Sequence, residues 1–322
     1  MFVEIILGLL AYTIFKHIFY DKDGSVGVDA SDTTALFSVA KRLEKLYGGK
    51  TFVGLRIPDQ DTGLRENIDM VLVTDREVVV ISVKNVAGNF SICDDGSWAC
   101  EDGAGSKKDR LLDPIEETKK QALVLESYLE RRDLALPEGY LSYKVVFPNP
   151  QFQLAYSSKI PPEVVTHDQW AELKPESKNV VSKWLKGAFL AGKKEMQESI
   201  NEKLISILST SPIWDRLELK NKHILGEFME FKGKQDDLLT LRNVKRSKIS
   251  RIVIQKFSML GFAPSKLQVL LYPRDYRSDT ASSSEWNEVT VSANVEVVFQ
   301  PRGGSKVSKY KLSSIICLSL SA

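Results

Sequence analysis

The sequence predicts an α+β architecture: a mixed sheet flanked by helices, then a helical connector, then a small all-β domain, with an apolar helix at the N-terminus. Three observations carry that expectation. Residues 30–160 run helix, three strands, helix, strand; residues 170–212 keep a helical period; residues 215–322 break into short strand-like pieces between turns. A chain of 322 residues with 43% apolar residues can fill more than one core. Its 44 basic and 42 acidic residues nearly cancel. No global field draws it onto nucleic acid or anionic lipid, so contact with either must come from local patches. Cys93, Cys100 and Cys317 lack metal-ligand spacing, which argues against a zinc site and for a reducing compartment.

Residues 1–24, "MFVEIILGLLAYTIFKHIFYDKDG", form an apolar segment. Counted from Phe2 to Tyr20, with Lys16 snorkelling, it approaches the ~20 residues of a spanning helix. It lacks the basic start and the small-residue cleavage site of a signal peptide. Lys16, His17 and Lys22 follow the apolar run and place the body of the chain in the cytosol. A single-helix membrane anchor is the preferred reading, and an apolar helix packed on the body is the alternative.

The first body helix is marked at both ends. Ser31 or Asp32 can cap it, Leu36, Val39, Leu43 and Leu46 share one face, and Gly48 supplies the left-handed stop. Residues 51–57, 67–73 and 77–84 are rich in β-branched residues and read as strands. The Gly- and Asp-rich stretch 93–109 reads as a loop. Asp113 as cap, Pro114 at the first helical position and Glu116 and Glu117 in the first turn open a second helix with Ile115, Ala122, Leu125 and Leu129 on its apolar stripe. "LSYKVVFPN" adds a strand that Pro148 ends. Beyond about residue 217, "RIVIQKF", "LQVLLYP", "EVTVSA" and "VEVVFQP" suggest a barrel or a sandwich.

The chemistry centres on "NIDMVLVTDREVVVISVKNVAG". With a four-residue loop at 74–77, Val73 lies beside Val78 and Asp69 opposite Ser82, with Lys84 on the same face. A carboxylate, a hydroxyl and an ammonium on one patch of sheet suit phosphodiester cleavage, the acid holding Mg²⁺ and the lysine stabilising charge at phosphorus. An Asp69–Lys84 structural ion pair would explain the same residues.

This stretch, with "ALFSVAKRLEKL" before it and "DPIEETKKQALVLESYL" after it, resembles the nuclease-related domain, NERD, of the PD-(D/E)xK nuclease superfamily; the C-terminal half and the apolar N-terminus resemble plant proteins carrying that domain. The resemblance implies a PD-(D/E)xK nuclease-like mixed sheet, Asp69 as the metal-binding aspartate, Lys84 as the lysine of the E-x-K element, and Gln121 as a supporting glutamine. It implies Mg²⁺, or Mn²⁺, if the site is active. Ser82 stands where the family has a second metal-binding glutamate, and Leu36 stands at an acidic position of the first helix. Glu66 and Asp32 are the acids available as substitutes, whereas Asp59 of the literal "PD" falls in a connection between strands.

A second patch is basic. Arg242, Lys245, Arg246, Lys248, Arg251 and Lys256 follow one another without an acid between them. Lys245, Arg246, Lys248 and Arg251 are the candidate nucleic-acid contacts, with anionic lipid or a merely solvated face as alternatives. The favoured function is a membrane-tethered, catalytically impaired nuclease-related protein that binds nucleic acid or an unknown protein partner. An active metal-dependent nuclease and a non-catalytic scaffold are the other two readings.

Overall fold

A computed structural model of the chain describes residues 29–93, 95–100, 110–155, 160–173, 194–255, 265–274 and 286–321. The apolar segment at 1–24 lies outside them, and no described helix is long and apolar enough to cross a membrane.

Helix α1 spans Asp29–Tyr47 and strands β1, β2 and β3 span Lys50–Pro58, Arg65–Val73 and Val78–Val83. Helix α2 spans Pro114–Glu130 and strand β7 spans Leu141–Val146. The first sheet has the order β1-β2-β3-β7-β9, with β9 at Val164–Val165. Its first three strands are antiparallel, and β7 and β9 run parallel to β3. Strand alternation sorts the side chains onto two faces. Met70, Leu72, Val79, Ile81 and Val83 pack with Leu36, Val39, Ala40 and Leu43 of α1. Val71, Val73, Val78 and Val80 pack with Ala122, Leu125 and Leu129 of α2. The helix-strand-strand-strand-helix-strand succession expected from sequence is therefore present.

Three differences stand out. Within 93–109, expected to be a loop, Trp98–Cys100 is a strand of a second sheet, and residues 94 and 101–109 lie outside the described ones. β4 (Gly88–Ile92), β5 (Trp98–Cys100) and β6 (Arg110–Leu111) join β8 (Phe152–Leu154) in the order β6-β5-β4-β8. Strands of two to five residues are too short for alternation to mark. Their own stacked core holds them, with the Trp98 and Phe147 rings 5.3 Å apart and Phe147 and Phe152 4.0 Å apart.

The helical region is the second difference. A short helix α3 spans His167–Glu172, and α4 spans Lys194–Ser209. Leu204, Ile207 and Leu208 of α4 belong to the same core as α2, so α4 covers the sheet instead of merely connecting two bodies.

The third difference is a helix within the C-terminal half, whose strands form a half-barrel, the barrel side of the barrel-or-sandwich expectation. Strands β10 (Asp215–Leu219), β11 (Lys222–Lys232), β12 (Ile249–Gln255), β13 (Lys266–Pro273), β14 (Asn287–Ser292), β15 (Glu296–Pro301), β16 (Ser308–Lys311) and β17 (Ile315–Ser319) form one antiparallel sheet of order β14-β13-β12-β17-β10-β11-β15-β16. Helix α5, Gln235–Leu241, touches both β11 and β14, strands far apart in that order, so the sheet curls around it. Leu241 enters the core with Phe299, Leu312 and Val291.

The two halves are stitched along β1. The Trp214 amide donates to the Gly54 carbonyl at 2.8 Å and the Arg56 amide to the Pro212 carbonyl at 2.8 Å, so residues 212–214 cover an otherwise open strand edge. The Arg56 guanidinium bonds Glu227 at 2.7 Å and lies 4.0 Å from the Trp214 ring.

Candidate functional site

The hairpin register is the one a four-residue loop requires. Val73 pairs with Val78, Leu72 with Val79, Val71 with Val80 and Met70 with Ile81. Asp69 and Ser82 come next, where the ladder ends. On the other side Asp69 faces Gly54, a β1 residue with φ of +72° that glycine adopts without steric cost. Alternation breaks at this pair: Val53 and Met70 join the α1-side core, whereas Leu55 and Ile68, two residues away along each strand, join the α2-side core.

Asp69 is 9% exposed, and its carboxylate is fully engaged. The Val83 amide donates to Oδ2 at 2.9 Å and the Ser82 hydroxyl to the same oxygen at 3.3 Å. Oδ1 takes the Arg302 guanidinium at 2.8 Å. Arg302 follows β15, and its own amide donates to the Leu225 carbonyl at 2.8 Å. The acid of the first sheet is thus neutralised from the C-terminal sheet. Burial of an unpaired carboxylate would be costly, and an arginine with backbone donors offsets that cost.

Asp215 shows the same solution at a second place. It is buried; its Oδ1 accepts from Arg246 at 2.6 Å and from the Ser321 amide at 2.7 Å, and its Oδ2 accepts from the Phe228 amide at 2.7 Å. Arginine plus backbone amides thus holds both Asp69 and Asp215.

Lys84 lies just past β3 and is directed to α2, where its ammonium bonds Glu117 at 2.8 Å. Asp69 and Lys84 are therefore committed to different partners. Gln121, one turn beyond Glu117, is buried; its amide donates to the Asn67 carbonyl at 3.0 Å, and its Oε1 has no partner. Glu66 is occupied by Lys120 at 3.0 Å, and that bond raises the lysine's pKa. Asp59 accepts from the Thr62 hydroxyl and the Asp61 amide, so it organises its own turn; the Thr62 bond is the largest cause of its lowered pKa. Leu36 is buried against Met70, Ile81 and Val83, apolar where the resemblance implies an acid. The side chain of Asp32 lies outside the described ones.

The fit to a divalent cation follows from these contacts. Mg²⁺ and Mn²⁺ require several oxygens, usually from more than one carboxylate. Here Asp69 has both oxygens used, Ser82 contributes a neutral hydroxyl turned donor, and Glu66 and Glu117 are bound to lysines. Among the described residues no group of three or more His, Cys, Asp or Glu side chains could hold a metal ion. As arranged, these side chains do not fit the ion. Ser82 is itself 1% exposed, shut away from solvent beside Asp69.

The basic run is divided by the fold. Arg246 is spent on Asp215 and on the Phe228 carbonyl at 2.8 Å. Arg251 is exposed, with its Nε donating to Cys317 Sγ at 3.1 Å. Lys245 and Lys248 are exposed on the turn before β12, and Lys256 lies outside the described residues. Sequence reasoning missed Arg302 and Glu117 as partners. Glu117 was visible only as a first-turn acid, and "PRGG" at 301–304 carries no local sign of a contact made so far along the chain.

The first body is a mixed sheet between two helix layers, with an aspartate midway along β2 and a lysine just past β3. Residues 32–148 match the family model described as the nuclease-related domain, and the chain carries that domain over those residues. No curated protein and no solved structure matches the chain.

Proposed function

We propose that the nuclease-related body of this chain does not hydrolyse phosphodiesters and serves as a binding unit, tethered to a membrane by residues 1–24 with its body in the cytosol. One observation supports the impaired site above the rest: both oxygens of Asp69 are consumed by Arg302, Val83 and Ser82, while Lys84 is held by Glu117. A phosphodiester nuclease of this type needs its carboxylate free for a cation and its lysine free for the phosphate. Lys245, Lys248 and Arg251 supply the exposed cations through which this unit binds a nucleic-acid backbone, without sequence preference and with affinity that falls as salt rises.

The test is to incubate the chain with single- and double-stranded DNA and RNA in Mg²⁺ or Mn²⁺, beside Asp69→Ala and Lys84→Ala. The expected result is no cleavage, together with salt-dependent binding that weakens in Lys245→Ala/Lys248→Ala. Cleavage that disappears in Asp69→Ala and Lys84→Ala would overturn the proposal. The tether is tested by carbonate extraction of the full-length chain from membranes, where recovery in the soluble fraction would refute it.

A further inference from the structure

The geometry points to Arg302 as a tethered cation that plugs the nuclease-related site. This inference rests on the reading of Asp69 as the residue at the cation position of that site. Asp69, the Val83 amide and Ser82 form a socket at the end of the β2–β3 ladder, and its occupant is a side chain of this chain's own C-terminal sheet. The Arg302 guanidinium delivers one positive charge to Oδ1 at 2.8 Å, where a metal would otherwise bind the carboxylate.

The plug sits on a turn built to present it. β15 ends at Pro301, Arg302 is anchored by its amide to the Leu225 carbonyl, and Gly303, with φ of +75°, turns the chain toward β16. The guanidinium side chain stays 31% exposed while the carboxylate is nearly covered. Its release therefore uncovers the acid without opening either hydrophobic core. Arg302 and Ser82 then act together: the serine removes the second acid, and the arginine neutralises the first. A site with one acid gains more from a permanent monovalent counter-ion than from a weakly held divalent one.

The experiment uses the full chain and four variants: Arg302→Ala, Ser82→Glu, Ser82→Glu/Arg302→Ala, and the last with Asp69→Asn added. Mn²⁺ binding is measured by titration calorimetry. Ser82→Glu/Arg302→Ala is expected to bind Mn²⁺ roughly tenfold or more tightly than Ser82→Glu, with the gain lost in the triple variant. Equal Mn²⁺ affinity with and without Arg302, or no binding by the double variant when its melt is cooperative, would overturn the plug. Should the bulkier side chain of the Ser82→Glu variants prevent folding, methylguanidinium chloride added to Arg302→Ala provides the second reading. It should raise the melting temperature of Arg302→Ala and leave Arg302→Ala/Asp69→Asn unchanged, and the absence of that rescue would equally overturn the plug. Cleavage by the wild-type chain would defeat the proposed function by a separate route, since neither readout here depends on activity.

Discussion

At the scale of single residues, what decides the chemistry is which partner each charge has found. Lys84 and Asp69 were legible as unusual residues in apolar strands, and the four-residue loop was enough to bring Asp69 to Ser82. Their final partners were not legible. Lys84 takes Glu117 from α2 and Asp69 takes Arg302 from beyond β15, and neither contact leaves a trace in local propensity. His223 offers a test of charge placement elsewhere. Its pKa is lowered from 6.5 by burial and by the neighbouring Arg216, whose guanidinium lies 3.2 Å from Nδ1 and 4.1 Å from the Phe37 ring. The unfolded chain takes up a proton on this imidazole near 6.5 while the folded chain resists it. The stability that the neutral ring contributes is therefore full above that pH and lost as pH falls below it. Thermal melts from about pH 7.5 to 5.5 should show a falling melting temperature, and His223→Gln should flatten part of that slope. An unchanged slope would remove His223 from the account.

Among the elements, α2 was the most legible. Asp113 was read as its cap and Pro114 as its first helical residue, and the structure has Asp113 Oδ1 accepting from the Ile115 amide at 2.9 Å and the Glu116 amide at 3.4 Å. Asp113→Ala should destabilise the protein by about 1 kcal/mol in chemical denaturation, and Asp113→Ser should recover most of the loss. Because α2 carries Glu117 and Gln121, the same change should loosen the hold on Lys84. The short strands β4 to β6 were illegible for the opposite reason. Their cohesion comes from Trp98 packing on Phe147 and Phe152 about fifty residues further along the chain, and strands of two to five residues cannot declare a period. Helix α5 of the C-terminal half was missed because the strand pieces around it set the expectation.

For the whole molecule, the sequence suggested a nuclease-related body at 30–160, a connector at 170–212 and a C-terminal unit at 215–322, and the packing argues for closer interdependence than those boundaries imply. Leu204, Ile207 and Leu208 fill the α2-side core, residues 212–214 cover the β1 edge, and Arg56 and Asp69 are both paired with residues of the C-terminal half. A fragment of residues 29–173 should lack a cooperative thermal melt, whereas 29–321 should keep one; the loss of a face-covering helix on this scale resembles several large-to-small core substitutions made together. A cooperative melt of the shorter fragment would show that the first body stands alone.

The bond between Arg302 and Asp69 is where residue, element and molecule meet. A double-mutant cycle of Asp69→Asn and Arg302→Ala, followed by urea denaturation, measures it directly. The account predicts a coupling of about 1–3 kcal/mol that shrinks only partly in high salt, whereas additivity within about 0.3 kcal/mol would contradict it.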